Sequence, residues 1–211
     1  RRHEAFEPHA RRDRPRPVTG STTPPRSTGR FVGDHGSADI AVLVVTYQSV
    51  KHIEGLLESL RHEALEHRIR VIVADNSSTD GTLDVVARHP DVLAVPTGGN
   101  LGYSAGLNTA ARLAGDVNAL LILNPDARVG EGCLAALRTR MRSSGAGAVV
   151  PRIIDDDGST YVSIRREPTL LRALGDAMFG SRWAGRPSGL SEIEGRPEAY
   201  ESAHPIDWAT G

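Results

Sequence analysis

Two short polar clusters each follow an apolar run, and their side chains suit nucleotide and metal chemistry. Asp75-Asn76 closes the run Val71-Ile72-Val73-Ala74, and Asn124-Pro125-Asp126 closes Ala119-Leu120-Leu121-Ile122-Leu123. On neighbouring parallel strands, both clusters would lie at the carboxyl edge of a sheet, where open α/β folds bind ligands. A carboxylate there accepts hydrogen bonds from a nucleobase or ribose, or holds a hard divalent cation against a diphosphate. Each cluster alone also has a plain structural reading, since Asp caps turns and Asn-Pro-Asp is a common turn sequence. Asn76 and Ser77 can serve the turn after the first cluster, which leaves Asp75 for a ligand.

The elements that must position these clusters are legible from residue 40 onward. Ala41 to Thr46 is a β-branched apolar run suited to a strand buried on both faces. Ile53, Leu56, Leu57 and Leu60 then recur at helical spacing. A second strand follows from Ile69 to Ala74, and Ser77 to Thr82 offers several N-cap candidates before Leu83, Val86 and Ala87. Val92 to Val95 gives a third strand, and Gly98-Gly99-Asn100-Leu101-Gly102 turns into an Ala-rich helix ending near Ala114. The spacing predicts a fourth strand over Ala119 to Leu123, a helix through Leu134, Leu137 and Met141, and a fifth strand over Ala146 to Val150. Strands and helices alternating in this way imply an α/β fold with a mainly parallel sheet flanked by helices. Beyond Pro151 the pattern is irregular, apart from an amphipathic helix through Leu170, Leu171, Leu174 and Met178.

Three segments result. Residues 1–37 read as a disordered basic arm, with eight arginines against four acids and no hydrophobic period. Residues 38–164 form the α/β domain, and 165–211 an irregular flap. The formal net charge is -1, so the rest of the chain is acidic. The arm lacks interleaved aromatics, which argues against a nucleic-acid partner and leaves contact with an anionic membrane face open. No stretch approaches a membrane span or a secretory h-region, so the expected location is cytoplasmic. The single cysteine, Cys133, excludes an internal disulfide and reads as a small core residue rather than a nucleophile.

Several nucleotide-binding classes are a poor match. A dinucleotide fold wants G-x-G-x-x-G directly after the first strand, where Thr46-Tyr47-Gln48-Ser49-Val50 stands instead. The glycines at 98, 99, 102 and 106 follow the third strand with the wrong spacing, and no P-loop is present. A nucleotidyltransferase usually needs a Gly-rich, Arg- or Lys-bearing loop after the first strand, which Thr46 to Lys51 does not supply.

The combination Val44-Val45-Thr46-Tyr47, Ala74-Asp75-Asn76-Ser77-Ser78-Thr79-Asp80-Gly81-Thr82, Asn100-Leu101-Gly102-Tyr103-Ser104-Ala105-Gly106-Leu107-Asn108 and Leu123-Asn124-Pro125-Asp126 resembles the inverting family-2 glycosyltransferases. Within them it is most similar to the rhamnosyltransferase-like branch that builds cell-wall and surface polysaccharides. The resemblance covers residues 40 to 165, and Asp207-Trp208-Ala209-Thr210-Gly211 looks like the start of that family's acceptor-side segment.

This resemblance implies a GT-A fold, incomplete at the C-terminus, that binds a dTDP- or UDP-sugar across the strand ends. It implies transfer of a hexosyl group, with rhamnose a candidate, to a glycan or lipid-linked acceptor, and a location at the inner face of the plasma membrane. Thr46 and Tyr47 would line the base and ribose pocket, Asp75 would accept a pyrimidine N3–H, and Asn76 would support the ribose or the turn. Asn100 and Gly102 match the loop passing the nucleotide, and Asn108 would support that loop. Asp126 matches the last aspartate of the family's metal motif, with Asn124 in place of the first, so Mg²⁺ or Mn²⁺ would sit there with one carboxylate fewer. The family's general base would lie beyond Gly211, making this chain inactive alone. A non-catalytic nucleotide-sugar-binding or scaffolding fragment is the alternative.

Overall fold

The computed structural model describes residues 29–179 and 188–210. β1 (Ile40–Thr46) and β2 (Ile69–Asp75) are buried at every position, as strands covered on both faces must be. They pair in parallel from Ile40↔Ile69 to Thr46↔Asp75. β3 (Val92–Pro96) joins the free side of β2, and β4 (Ala119–Leu123) joins the other side of β1. The spatial order is β3-β2-β1-β4, all parallel. The direction of winding therefore reverses between β1 and β4, which opens a crevice at their carboxyl ends.

Alternation along the strands assigns the two layers. Ile40, Val42, Val44, Ile69, Val71 and Val73 face α1 (Ile53–Glu63), α2 (Thr82–Val86) and α4 (Cys133–Ser144). Ala41, Leu43, Ile72 and Ala74 face the opposite layer, built by α3 (Tyr103–Ala111) and Ala114. Ile53, Leu56, Leu57 and Leu60 are wholly buried on α1, each worth about 1.5–3 kcal/mol relative to exposure. On the other side α3 comes close, because Gly106 has no Cβ; one placed there would lie 2.8 Å from Val45 Cγ1.

Three polar groups, Glu63 and Arg70 buried and Asp91 half-buried, fasten the ends of these elements. The Glu63 carboxylate at the end of α1 accepts the Gly132 and Leu134 N–H groups at 2.7 and 2.8 Å, capping α4. The Arg70 guanidinium donates to the carbonyls of Ala114 (2.7 Å), Asp34 (3.2 Å) and Gly36. Asp91 takes a bidentate pair from Arg61 at 2.8 and 2.9 Å and the Phe31 N–H at 3.0 Å. Arg61 also stacks on the Phe31 ring, 4.3 Å from its centroid.

Phe31 thus departs from the sequence reading. It belongs to the main core, and Val32 donates to the Ile69 carbonyl at 2.7 Å, so the end of the supposed arm docks on the sheet. One buried aromatic outweighs the polar composition around it. Residues 1–28 lie outside the described residues. The fifth strand is also absent: 146–150 forms no ladder. Ala146, Gly147 and Ala148 bury little, and Pro151 supplies no donor.

The Arg61 pairing holds the Asp91 carboxyl down at about 2, with the Phe31 N–H assisting. An unfolded Asp titrates near ~3.9. The stabilisation is fully present above that value and is lost as pH falls from there toward about 2. Urea unfolding at pH 7, 4 and 3 should show stability declining with acid, and Asp91→Asn should be less stable at pH 7 with a shallower decline.

After α4 the chain builds a smaller unit. β5 (Ile164–Arg165) pairs antiparallel with β6 (Trp208–Ala209), and α5 (Leu170–Phe179) packs on a 3-10 turn at Ser188–Leu190.

Candidate functional site

The parallel register brings Thr46, Asp75 and Pro96 into one row at the carboxyl edge. β4 is in register two rows back, Leu123 against Val44, so its turn begins level with Val45. Three strand mouths therefore converge around the β1/β4 crevice.

At the first mouth Thr46 is buried and Tyr47 is 53% exposed. The next residue, Gln48, has φ 54, a left-handed backbone that a long side chain seldom adopts. It is held there by Ser78 and Thr79: Gln48 N–H donates to Ser78 Oγ at 2.9 Å, and its amide exchanges two bonds with Thr79 at 2.9 and 3.1 Å. At the second mouth Ser77 also has positive φ, 62. Two such residues on facing loops store strain at one place, a common property of binding sites.

Asp75 lies beneath both loops and is fully buried. Its Oδ1 accepts the hydroxyls of Thr46 (2.7 Å) and Ser78 (2.6 Å), and its Oδ2 accepts the Ser78 N–H (2.8 Å). The sequence reading gave the turn to Asn76 and Ser77 and kept Asp75 free; the structure gives the turn to Asp75 itself. A serine three residues after an aspartate is the pattern that could have shown it. Asn76 has a different task. Its Nδ2 donates to the Gly102 carbonyl at 3.1 Å and its Oδ1 lies 3.0 Å from the Thr97 hydroxyl, pinning the glycine loop to β2.

That loop turns through Gly98 (φ 79) and Gly102 (φ 81), where L side chains are strained. Asn100 is exposed and its Oδ1 accepts the Gly102 N–H at 3.2 Å. Asn108 stands on the solvent side of α3 and is exposed. It therefore does not support the loop, as the sequence had suggested; Asn76 and Thr97 do. Nothing in the sequence singled out Thr97.

At the third mouth Asn124 is half-buried, and its carbonyl closes a turn with the Ala127 N–H at 3.1 Å. Asp126 is exposed, and among the described residues only its main-chain carbonyl is engaged, by Arg128. Its carboxylate and the Asn124 amide oxygen are hard donors of the kind Mg²⁺ and Mn²⁺ prefer. Among the described residues no group of three His, Cys, Asp or Glu side chains is poised to hold a metal. The donor set fits an ion that takes its remaining ligands from a diphosphate and water.

Two other features stand apart from this crevice. Cys133 is half-buried, and burial together with the Glu63 charge pushes its thiol up, away from nucleophilic reactivity. A cavity of about 350 Å³ lies beside β5, lined by Arg165, Arg166, Glu194, Arg196, His204 and Asp207 among others. There the Arg196 and Arg166 guanidinium groups pull the Glu194 carboxyl down to about 2. That charge pairing makes the carboxylate a clasp between the 194–196 loop and β5.

Open α/β sheets bind their ligands at such a switch point, and comparison narrows the class. The family model for glycosyl transferase family 2 matches residues 41–191, and the chain belongs to that family. It is 39% identical over 184 residues to the N-acetylglucosaminyl-diphospho-decaprenol L-rhamnosyltransferase of Mycobacterium tuberculosis, covering 82% of this chain and 59% of that protein. It is 30% identical over 141 residues to a low-salt glycan biosynthesis hexosyltransferase, Agl10, of Haloferax volcanii, covering 65% of this chain and 44% of that one. The crystal structure of S. aureus TarS superposes with a TM-score of 0.52 at 24% identity, over 63% of this chain and 25% of the other, which shows a shared fold. The fold is GT-A, with a mainly parallel central sheet and flanking helices. The chain spans less than two thirds of the length of the curated relatives it matches.

Proposed function

We propose that this chain binds the donor of an inverting glycosyltransferase, a nucleotide-diphosphosugar of the dTDP or UDP type, for transfer to a glycan or lipid-linked acceptor. The observation that carries this reading is the convergence of three strand mouths, each with its own chemistry, on one crevice. Tyr47 offers an exposed ring for the base to stack on. Asp75 reads the pyrimidine N3–H through Oδ2, which retains a lone pair beyond the one Ser78 uses. Reaching it needs the Ser77-Ser78 turn to shift, and the positive φ at Ser77 makes that turn the place to yield. Thr46 and Asn76 keep the pocket floor in place, and Gly102 with Asn100 lets the backbone pass close to the ribose and phosphates.

Asp126, with Asn124 beside it, would hold Mg²⁺ or Mn²⁺ at the diphosphate end. Such an ion would supply positive charge against the departing nucleoside diphosphate. In the reaction the acceptor hydroxyl would attack the anomeric carbon from behind and give its proton to a carboxylate general base of the acceptor side, the carbon–oxygen bond would break with its electron pair leaving on the diphosphate, and configuration would invert. The rhamnosyltransferase and hexosyltransferase relatives support a sugar-transfer role in cell-wall or surface-polysaccharide synthesis, with rhamnose a candidate sugar. The decaprenol in the first relative's name supports a lipid-linked acceptor. Such an acceptor supports a location at the cytoplasmic face of the plasma membrane.

Calorimetric titration with dTDP and UDP, with and without Mn²⁺, tests the donor site. Binding of one or both with affinity enhanced by metal is expected. A folded sample that binds neither nucleotide overturns the reading.

A further inference from the structure

α1 carries a glycine at a position where a helix is better served by alanine. Gly55 stands between the buried Ile53 and Leu56, and a glycine inside a helix loses more backbone freedom on folding than any other residue. The space of its missing side chain is taken by Arg128. A Cβ on Gly55 would run into the Nη2, Cζ and Nε atoms of that guanidinium. From this seat Arg128 Nη1 donates to the Ala127 carbonyl at 2.8 Å and to the Asp126 carbonyl at 3.3 Å. Both belong to the turn that the Ala127 N–H closes on the Asn124 carbonyl.

The seat is the first of three attachments along one helix. Four residues further on, Ser59 Oγ accepts the Val129 N–H at 3.1 Å, and four further again Glu63 accepts the Gly132 and Leu134 N–H groups. Positions four apart lie on the same side of a helix. Gly55, Ser59 and Glu63 therefore form a rail on which the chain from Arg128 to Leu134 is laid. Ile53, Leu56, Leu57 and Leu60 pack α1 into the core it shares with β1 and β2. The segment after β4 is thus tied through α1 to the centre of the sheet, and Arg128 is the tie nearest Asp126 in the chain.

We infer that Arg128, seated on Gly55, is a positioning residue that braces the turn presenting the Asp126 carboxylate. Its use rests on the proposed metal role of Asp126, whereas the bracing itself needs neither metal nor nucleotide and is measured without them. A turn ordered in advance leaves less ordering to be done when an ion binds. That matters most at a site where one carboxylate and one amide oxygen are the protein's donors.

Gly55→Ala separates the seat from the fold. The atoms it displaces are the far end of a flexible side chain, so Arg128 swings aside while the helix gains a better former. The thermal midpoint should hold or rise. Hydrogen exchange at the Ala127 amide, followed by NMR, should quicken at least about fivefold, with the β1 and β2 amides unchanged. In calorimetric titration the Mn²⁺ enhancement of dTDP or UDP affinity should fall about tenfold, with the metal-free affinity unchanged. Arg128→Ala should give the same loss of protection and of enhancement, and the double variant should lose no more than either alone, since both remove one contact. Unchanged exchange at Ala127 overturns the inference whatever the nucleotide does. Faster exchange with full metal enhancement overturns it as well, leaving a tie that serves the fold alone. A fall in metal-free affinity in Gly55→Ala would make the guanidinium a direct phosphate contact, and additive losses in the double variant would deny the shared seat; either result overturns it. Faster exchange in a chain whose nucleotide affinity never responds to Mn²⁺ leaves the brace standing and removes the metal role of Asp126.

Discussion

Asp75→Ala should lower the thermal midpoint by roughly 10 °C and abolish measurable pyrimidine-nucleotide binding. The substitution strips the acceptor from the Thr46 hydroxyl, the Ser78 hydroxyl and the Ser78 N–H at once. A buried donor left unmatched costs about 1–3 kcal/mol; the Thr46 hydroxyl is buried and the two Ser78 donors partly so, and a total of about 3 kcal/mol is expected. For a chain of this size each kcal/mol moves the midpoint by about 2–4 °C. Asp75→Asn separates folding from binding. It keeps a carbonyl oxygen for one set of donors, and the hydroxyls of Thr46 and Ser78 can rotate to meet the amide. Most of the stability should return. Binding should not, because an amide N–H facing a base N3–H is donor against donor, and a loss of about tenfold to a hundredfold in affinity is expected. Scanning calorimetry and nucleotide titration on the same samples read both effects. Wild-type affinity in a folded Asp75→Asn sample would remove Asp75 from base reading and leave it a purely structural acid.

Asp126→Ala should behave in the opposite way. Its carboxylate is exposed and carries no fold-supporting bond, so stability should stay within about 0.5 kcal/mol of wild type. The enhancement of nucleotide affinity by Mn²⁺ should vanish, a loss of about a hundredfold or more at saturating metal, because only an amide oxygen remains in that turn. Asn124→Asp should strengthen metal binding by adding a second carboxylate. Titrating Mn²⁺ and nucleotide into all three proteins decides the matter. Metal enhancement that survives Asp126→Ala would place the ion elsewhere.

The sheet was largely legible in the sequence because β1 and β2 are covered on both faces. Such strands read as unbroken apolar runs, and Ala119–Leu123 was delimited to the residue. The helical spacing of Ile53, Leu56, Leu57 and Leu60 mapped directly onto the buried side of α1. The fifth strand failed because 146–150 has the right position in the alternation but too little side-chain surface to hold it. Phe31 was hidden by its neighbours, since composition averages over a stretch and one ring against Arg61 does not. Residue types pointed to Asp75 and to Asn124-Pro125-Asp126, which the structure places at the carboxyl ends of β2 and β4. What they could not reveal was who bonds whom: Asp75, Ser78 and Thr46 share one network through a turn whose geometry depends on two positive-φ residues. Asn108 shows the same limit from the other direction, since a motif position does not determine which way a helical side chain faces.

The last rung of the β1–β2 ladder, Thr46 opposite Asp75, has a further consequence for folding. Strands with apolar residues on both faces have little in their own pattern to prevent sliding, because a shift by one still buries oil against oil. Here a shift by one would move Asp75 off Thr46 and leave its buried side chain with a donor missing. The hydroxyl–carboxylate bond at the mouth thus works as a stop that selects a single alignment of the two central strands. The side chain proposed to read a nucleobase also tells the sheet where to end.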